Sequence, residues 1–187
     1  RVERIAERAG VNKKLLYHYF ADKQALLADI AQTHVNHLAA QVAEVRALAL
    51  PPREHLAALI ARFVLAYAGA QHAHRVLTED VKFLDPAPRQ RVLNTERRVV
   101  RAFAEQVTLL RPELAGSHLA APLTMLLFGM INWMFTWLRP DGRIGPEQMA
   151  PIVADLFLGG LAAVALPGGP ASPEGAAAAA PRGLPSG

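Results

Sequence analysis

Cysteine is absent from the 187 residues, so no disulfide and no thiolate metal site can form, which suits a reducing cytosol. No stretch reads as a signal peptide, and the expected compartment is cytoplasmic. Strand-like alternation is missing, as are hairpin dipeptides between strands; Asp141-Gly142 lies between helical runs. The expected fold class is therefore all-α. There is no HExxH, no phosphate loop and no nucleophile–base pair, so neither catalysis nor a cofactor is expected. A large excess of one charge is missing too. The net charge of +4 and the pI near 9.8 permit nucleic-acid binding without arguing for it. No internal repeat is visible. What remains is a chain that is 52% hydrophobic, enough for one sizeable core or a small module joined to a helical domain.

The N-terminus carries the densest signal. Residues 2–23 read VERIAERAGVNKKLLYHYFADK. A helical run from Val2 to Ala9 breaks at Gly10, a second helix spans about Asn12 to Tyr19, and a third starts after Asp22. Two short helices around a Gly-containing turn are the form of a helix-turn-helix, whose second helix enters the DNA major groove. Asn12 suits an N-cap. At 100° per residue, Lys13, Lys14, Tyr17 and His18 share one arc, and Leu15, Leu16, Tyr19 and Phe20 the opposite one. Lys13 and Lys14 lie where groove-entering helices put base contacts, and a lysine there can bond guanine or neutralise a phosphate. Tyr17 can donate to a phosphate. Asp22 can cap the next helix and leave the Lys23 amine facing a phosphate. An ordinary amphipathic surface helix would show the same split.

The stretch IAERAGVNKKLLYHYFADKQALL resembles the DNA-binding core of the tetracycline-repressor (TetR) family of one-component regulators. The resemblance is carried by Ile5-Ala6, Ala9-Gly10, Leu16-Tyr17-His18-Tyr19-Phe20, Lys23 and Leu26-Leu27. It is ungapped and covers about 30 residues. It implies DNA contacts from Lys13, Lys14, Tyr17, His18, Tyr19 and Lys23, and Tyr19 enters only through the resemblance, since the wheel puts it on the apolar side. Family members carry a further helix ahead of this motif. The sequence begins at Arg1, so the first helix is expected to be missing and the three-helix unit incomplete, leaving Ile5, Leu16 and Phe20 exposed.

Beyond the motif the periodicity predicts helices over residues 22–48, 53–70, 75–84, 87–110, 118–138 and 146–166, punctuated by Pro51-Pro52, Asp85-Pro86 and Pro112. The first repeats Leu27, Ile30, Ala31, His34, Leu38 and Val42; the second repeats Leu56, Leu59, Ile60, Phe63, Val64 and Tyr67. Residues 119–138 carry no charge and reach membrane-span length, but Pro122, Gly129 and Asn132 interrupt them. They read better as a helix buried on several sides, and no membrane partner is expected. The expected domains are a partial helix-turn-helix over 1–24, a helical ligand-binding and dimerisation domain over 25–166, and a disordered tail over 167–187, rich in Pro, Gly, Ser and Ala. The resemblance implies a homodimer through residues 118–138 and 146–166, which would set two recognition helices on two half-sites.

The segment LLFGMINWMFTWLRPDGRIGPEQMAPIVADLFLGGL is similar to the C-terminal part of a TetR subgroup that regulates catabolism of fatty acids, aromatic acids or steroid side chains. Gly129-Met130-Ile131-Asn132-Trp133, Trp137, Arg139-Pro140-Asp141-Gly142 and Gly159-Gly160-Leu161 carry the likeness. It implies an acyl-CoA thioester as inducer. Phe128, Trp133, Met134 and Trp137 can line an apolar chamber, or serve as plain core or dimer contacts. Arg91 and Arg98, in a row of five arginines from Arg89 to Arg101, can hold CoA phosphates, or simply form a solvated face. His34 with His37, and His72 with His74, invite a metal site that would need carboxylates as well, against ordinary polar histidines; no metal is expected. The chain is thus expected to be a dimeric repressor on a palindromic operator, released by a small hydrophobic effector. The alternative is an acyl-CoA-binding helical module without DNA binding, because the first helix is absent.

Overall fold

The computed structural model describes residues 22–139 and 142–165. The expected recognition helix, with Lys13, Lys14, Tyr17, His18 and Tyr19, and the expected tail both lie outside the described residues. Within them the fold is all-α, as the sequence predicts. Helices α1 (Lys23–Ala47), α2 (Pro52–Gly69) and the five-residue α3 (Gln71–Arg75) come first. A π-helical turn (Val76–Asp80) and a 3-10 turn (Val81–Phe83) follow. Then come α4 (Pro86–Leu110), a 3-10 turn (Pro112–Gly116), α5 (Ala120–Trp137) and α6 (Pro146–Ala163).

Proline sets three of the helix starts. Pro52, Pro86 and Pro146 each occupy the first turn, where a missing N–H costs nothing and the fixed φ is already helical. Asp22 starts α1 differently: its Oδ1 accepts from the Ala25 amide at 2.8 Å, filling an orphan donor. Asp22→Ala should cost about 1 kcal/mol of stability. A thermal melt checks it, and an unchanged melting temperature would deny the cap any weight.

The core forms where the apolar stripes converge. The most extensive packing is α2 against α6, then α1 against α4. Phe63, Phe103 and Phe128, from α2, α4 and α5, meet edge to face, with centroids 4.8 Å apart for Phe63–Phe103 and 4.9 Å for Phe103–Phe128. Arg111 closes the far end. Its guanidinium donates to the carbonyls of Leu161 and Val164, so a cation sits on the C-terminal carbonyls of α6. Among the described residues no single helix is long and apolar enough to cross a membrane. The apolar part of α5 covers only Ala120–Met134, and α2 with the following segment is bent by 99°.

The predicted helix over residues 75–84 is corrected by the structure. Helical backbone resumes earlier, at Gln71, after Ala70 leaves the helical region at φ −132°, ψ 39°. It then widens into the π turn and tightens into the 3-10 turn. Leu77, Val81 and Leu84, spaced four and then three apart like one face of a regular helix, stay buried through the irregular winding.

Candidate functional site

Inside the bundle lies a cavity of about 50 Å³, lined from six segments, with His74 supplied by α3. Val35 and Leu38 come from α1, Tyr67 from α2, Leu77 and Thr78 from the π turn, and Phe128 and Asn132 from α5. Helix α4 contributes Glu96, Val99 and Val100. A second hollow, of about 10 Å³, lies across Tyr67 and is lined by Val64, Ile131, Met134 and Leu138.

Tyr67, which borders both, belongs to a ring cluster. Tyr67 stacks on His74 with centroids 3.6 Å apart and planes 23° from parallel. His34 Nε2 lies 3.4 Å from His74 Nδ1. His34 is 4% exposed and His74 fully buried. Burial, with the neighbouring His37, lowers the His34 pKa to about 4. Burial, with His34 beside it, lowers that of His74 to about 3. Both rings are therefore neutral at neutral pH, and one can donate to the other. Burial also pushes the Tyr67 phenol up, with the Glu96 charge adding to it. The Glu96 carboxyl is raised by its own burial against the opposing pull of Arg97. Asn132 Oδ1 is sealed from solvent and has no hydrogen-bond partner among the described residues. The hollow is thus apolar in area but polar at discrete points, the usual make-up of a small-molecule site.

The expected ligand residues divide. Phe128 lines the larger cavity and Met134 the smaller one. Trp133 and Trp137 do not belong to either: they are 67% and 51% exposed. The reason is helical phase. Leu123, Leu127, Phe128, Ile131 and Met134 turn inward, which leaves Pro122, Leu126, Gly129, Trp133 and Trp137 on the opposite side of α5. Arg91 and Arg98 are exposed on α4 and away from the cavity. Arg91 lines an outer groove together with Asp22, Asp29 and Asp85, and Arg98 donates to Thr95 Oγ1 at 3.1 Å. His34 faces His74, with His37 near its other side. Among the described residues no group of three or more His, Asp or Glu is placed to hold a metal ion. Tyr67, His74, Thr78, Glu96 and Asn132 are the polar cavity residues that the sequence does not single out as ligand contacts.

The cavity is tied to the N-terminal end of α1. The π turn that supplies Leu77 and Thr78 runs into the 3-10 turn ending at Phe83, whose carbonyl accepts from Gln24 Nε2 at 2.9 Å. Gln24 directly follows Lys23, which is exposed at the start of α1. Of the six expected DNA contacts, Lys23 alone lies within the described residues.

A second feature lies outside. On α5 and α6, Leu126, Trp133, Trp137, Ile152 and Leu156 are between 41% and 67% exposed. Gly129, Gly159 and Gly160 share this face, and a Cβ at any of them would meet nothing within 4 Å. Helical glycine costs about 0.5–1 kcal/mol relative to alanine, so a row of small residues beside large apolar ones suits the close approach of another helix.

Sequence and fold comparisons agree with this layout. Residues 1–30 match the family described as bacterial regulatory proteins, tetR family. Residues 49–161 match the family described as tetracyclin repressor-like, C-terminal domain. A TetR-family transcriptional regulator from Bordetella parapertussis shares 31% identity, with 88% of this chain and 86% of that one covered and a TM-score of 0.79. The HTH-type transcriptional repressor KstR2 of Mycolicibacterium smegmatis is 23% identical over 86% of this chain and 80% of its own length. The fold also superposes on AibR, solved with isovaleryl coenzyme A and operator DNA, at a TM-score of 0.69 and 21% identity, over 83% of this chain and 85% of that one.

Proposed function

Because the chain belongs to the tetR family of bacterial regulatory proteins, we propose that it is a homodimeric transcriptional repressor that leaves a palindromic operator when an acyl-CoA thioester enters its core. The observation that carries this reading is the cavity within the bundle, whose π-helical wall runs into a 3-10 turn hydrogen-bonded to the start of α1. Sites that engulf a small molecule run to roughly 300–1,000 Å³, far beyond about 50 Å³. An entering acyl group therefore has to push a wall outward. The π turn is the softest wall, because its wide hydrogen-bond ladder is the least regular helical backbone in the core. Its displacement moves Phe83, and through Gln24 the end of α1 that adjoins the DNA-binding residues. The ligand favours the expanded state and the operator the compact one, which is the differential affinity that coupling requires. The repressor KstR2 and the isovaleryl-CoA complex of AibR support the class of activity and of effector.

The exposed apolar face of α5 and α6 is the proposed dimer interface, with Trp133 and Trp137 as contacts between protomers. Lys13, Lys14, Tyr17, His18, Tyr19 and Lys23 are the proposed DNA contacts, with Lys13 and Lys14 closest to the bases. Lys14→Ala should change base preference. Lys23→Ala should weaken all sites alike and reduce the salt slope by about one unit. Binding across a set of operator variants at several salt concentrations checks both, and equal loss on every sequence for both substitutions refutes the division.

The decisive experiment is fluorescence anisotropy of a labelled operator fragment, titrated with short-chain, long-chain and arylacetyl CoA thioesters. At least one should release the DNA at micromolar concentration or below. If none changes operator affinity while free CoA and the free acids are equally inert, the acyl-CoA effector is wrong.

A further inference from the structure

The wall of the inner cavity is more polar than an undecorated alkyl chain requires. Its apolar part, Val35, Leu38, Val99 and Phe128 among others, would suit any hydrocarbon. Asn132 would not. Its amide projects from a helix that is otherwise apolar through this stretch, and its Oδ1 is buried without a partner among the described residues. Asn132 lines the cavity of about 50 Å³, and a ligand that widens the cavity meets its amide. A hydrocarbon that fills the cavity leaves that acceptor stranded, whereas a hydroxyl supplies the missing bond. A hydroxyl both donates and accepts, so it satisfies Asn132 whichever end of the amide it meets. Tyr67 and Glu96 line the same cavity and offer further polar partners at its edge.

We infer that the group entering this cavity carries a hydroxyl, and that Asn132 makes the protein prefer a hydroxylated acyl or aryl group to its unsubstituted parent. This deepens the acyl-CoA reading by naming what the acyl part bears, yet it can be tested apart from it. A site built around a buried polar atom discriminates by leaving that atom unpaired with the wrong ligand, and the preference should be roughly tenfold or more. Asn132→Leu should abolish it, mainly by improving affinity for the unsubstituted ligand.

Two matched sets decide the matter on wild type and on Asn132→Leu. Calorimetry compares phenylacetyl-CoA with its 3- and 4-hydroxy derivatives. Thermal shift compares toluene with 3- and 4-methylphenol at millimolar concentration, without any CoA. A hydroxyl preference in either set that Asn132→Leu removes supports the inference. If the phenols show it while no thioester binds, the inference stands and the acyl-CoA reading falls. If thioesters bind and neither set shows a preference, the inference falls and the acyl-CoA reading stands. If nothing binds in either set, both fall. A preference that survives in Asn132→Leu removes Asn132 from the explanation. Should that variant melt well below wild type, Asn132→Met, with an unbranched and adaptable side chain, takes its place.

Discussion

Leu126→Glu should turn the protein into a monomer at micromolar concentration and abolish tight operator binding. Leu126 is 64% exposed on the protomer, one turn from Gly129 and two from Trp133, so its substitution removes almost nothing from the protomer's own core. In a twofold dimer built on α5 and α6 the change occurs twice, and each carboxylate is brought against apolar surface. Burying an unpaired charge costs several kcal/mol, which with two copies amounts to a dissociation constant at least about a thousandfold weaker. Operator affinity falls with it, because each recognition helix then binds its half-site alone. Sedimentation velocity and operator titration read the two effects. Leu126→Ala provides the control: it trims the contact without adding a charge and should weaken the dimer only mildly. A Leu126→Glu protein that stays dimeric would move the interface off this face and leave Trp133 and Trp137 without the role proposed for them.

The tryptophans also mark where the sequence stops being informative. Helix α5 is apolar all round, so a helical wheel has no contrast with which to tell its inner from its outer side. The residues Phe128 and Met134 turn inward and Trp133 and Trp137 outward, a distinction set by packing against α4, α2 and α6. Where polar residues punctuate the pattern, the sequence is legible. The starts of α1, α2, α4 and α6 follow from Asp22, Pro52, Pro86 and Pro146, and the buried stripe of α1 follows from its spacing. The π turn is not legible, because one extra residue per turn leaves no compositional mark, and Leu77, Val81 and Leu84 keep the four-then-three spacing of an ordinary α-helix. The cavity's polar residues are half visible. His34 and Tyr67 sit at core positions of otherwise apolar repeats, and Asn132 is a lone amide in a charge-free run; each is a polar residue where burial is expected. Glu96 is hidden among arginines, and only the fold reveals that it faces inward while they face solvent. His74 depends on the bend at Ala70, which periodicity does not predict.

Acid should unfold this protein earlier than its carboxylates alone would require. In the folded protein His34 takes a proton only near pH 4 and His74 only near pH 3, whereas in the unfolded chain each does so near 6.5. Between those values the unfolded state binds more protons, so stability is complete above about pH 6.5 and falls as the pH drops toward 4. By pH 5 the loss is roughly 3–4 kcal/mol for the two rings together, or on the order of 10 °C in melting temperature. His55, lowered by burial and by Arg46, acts in the same direction. Glu96, raised by burial, acts in the opposite one and offsets part of the loss near the bottom of the window. Tyr67 stays neutral throughout, so the stacked ring reports nothing of its own. Melts from pH 7.5 to 4.5 measure the slope. His74→Phe keeps a ring against Tyr67 and removes one proton site, so it should roughly halve the slope; adding His34→Leu should flatten all but the contribution of His55. If wild type and the double variant lose stability in parallel, the ring pair is not the origin of the acid sensitivity, and the carboxylates are. If the slope does halve, the buried pair beside the cavity also ties the integrity of the helical domain to the neutral form of its histidines.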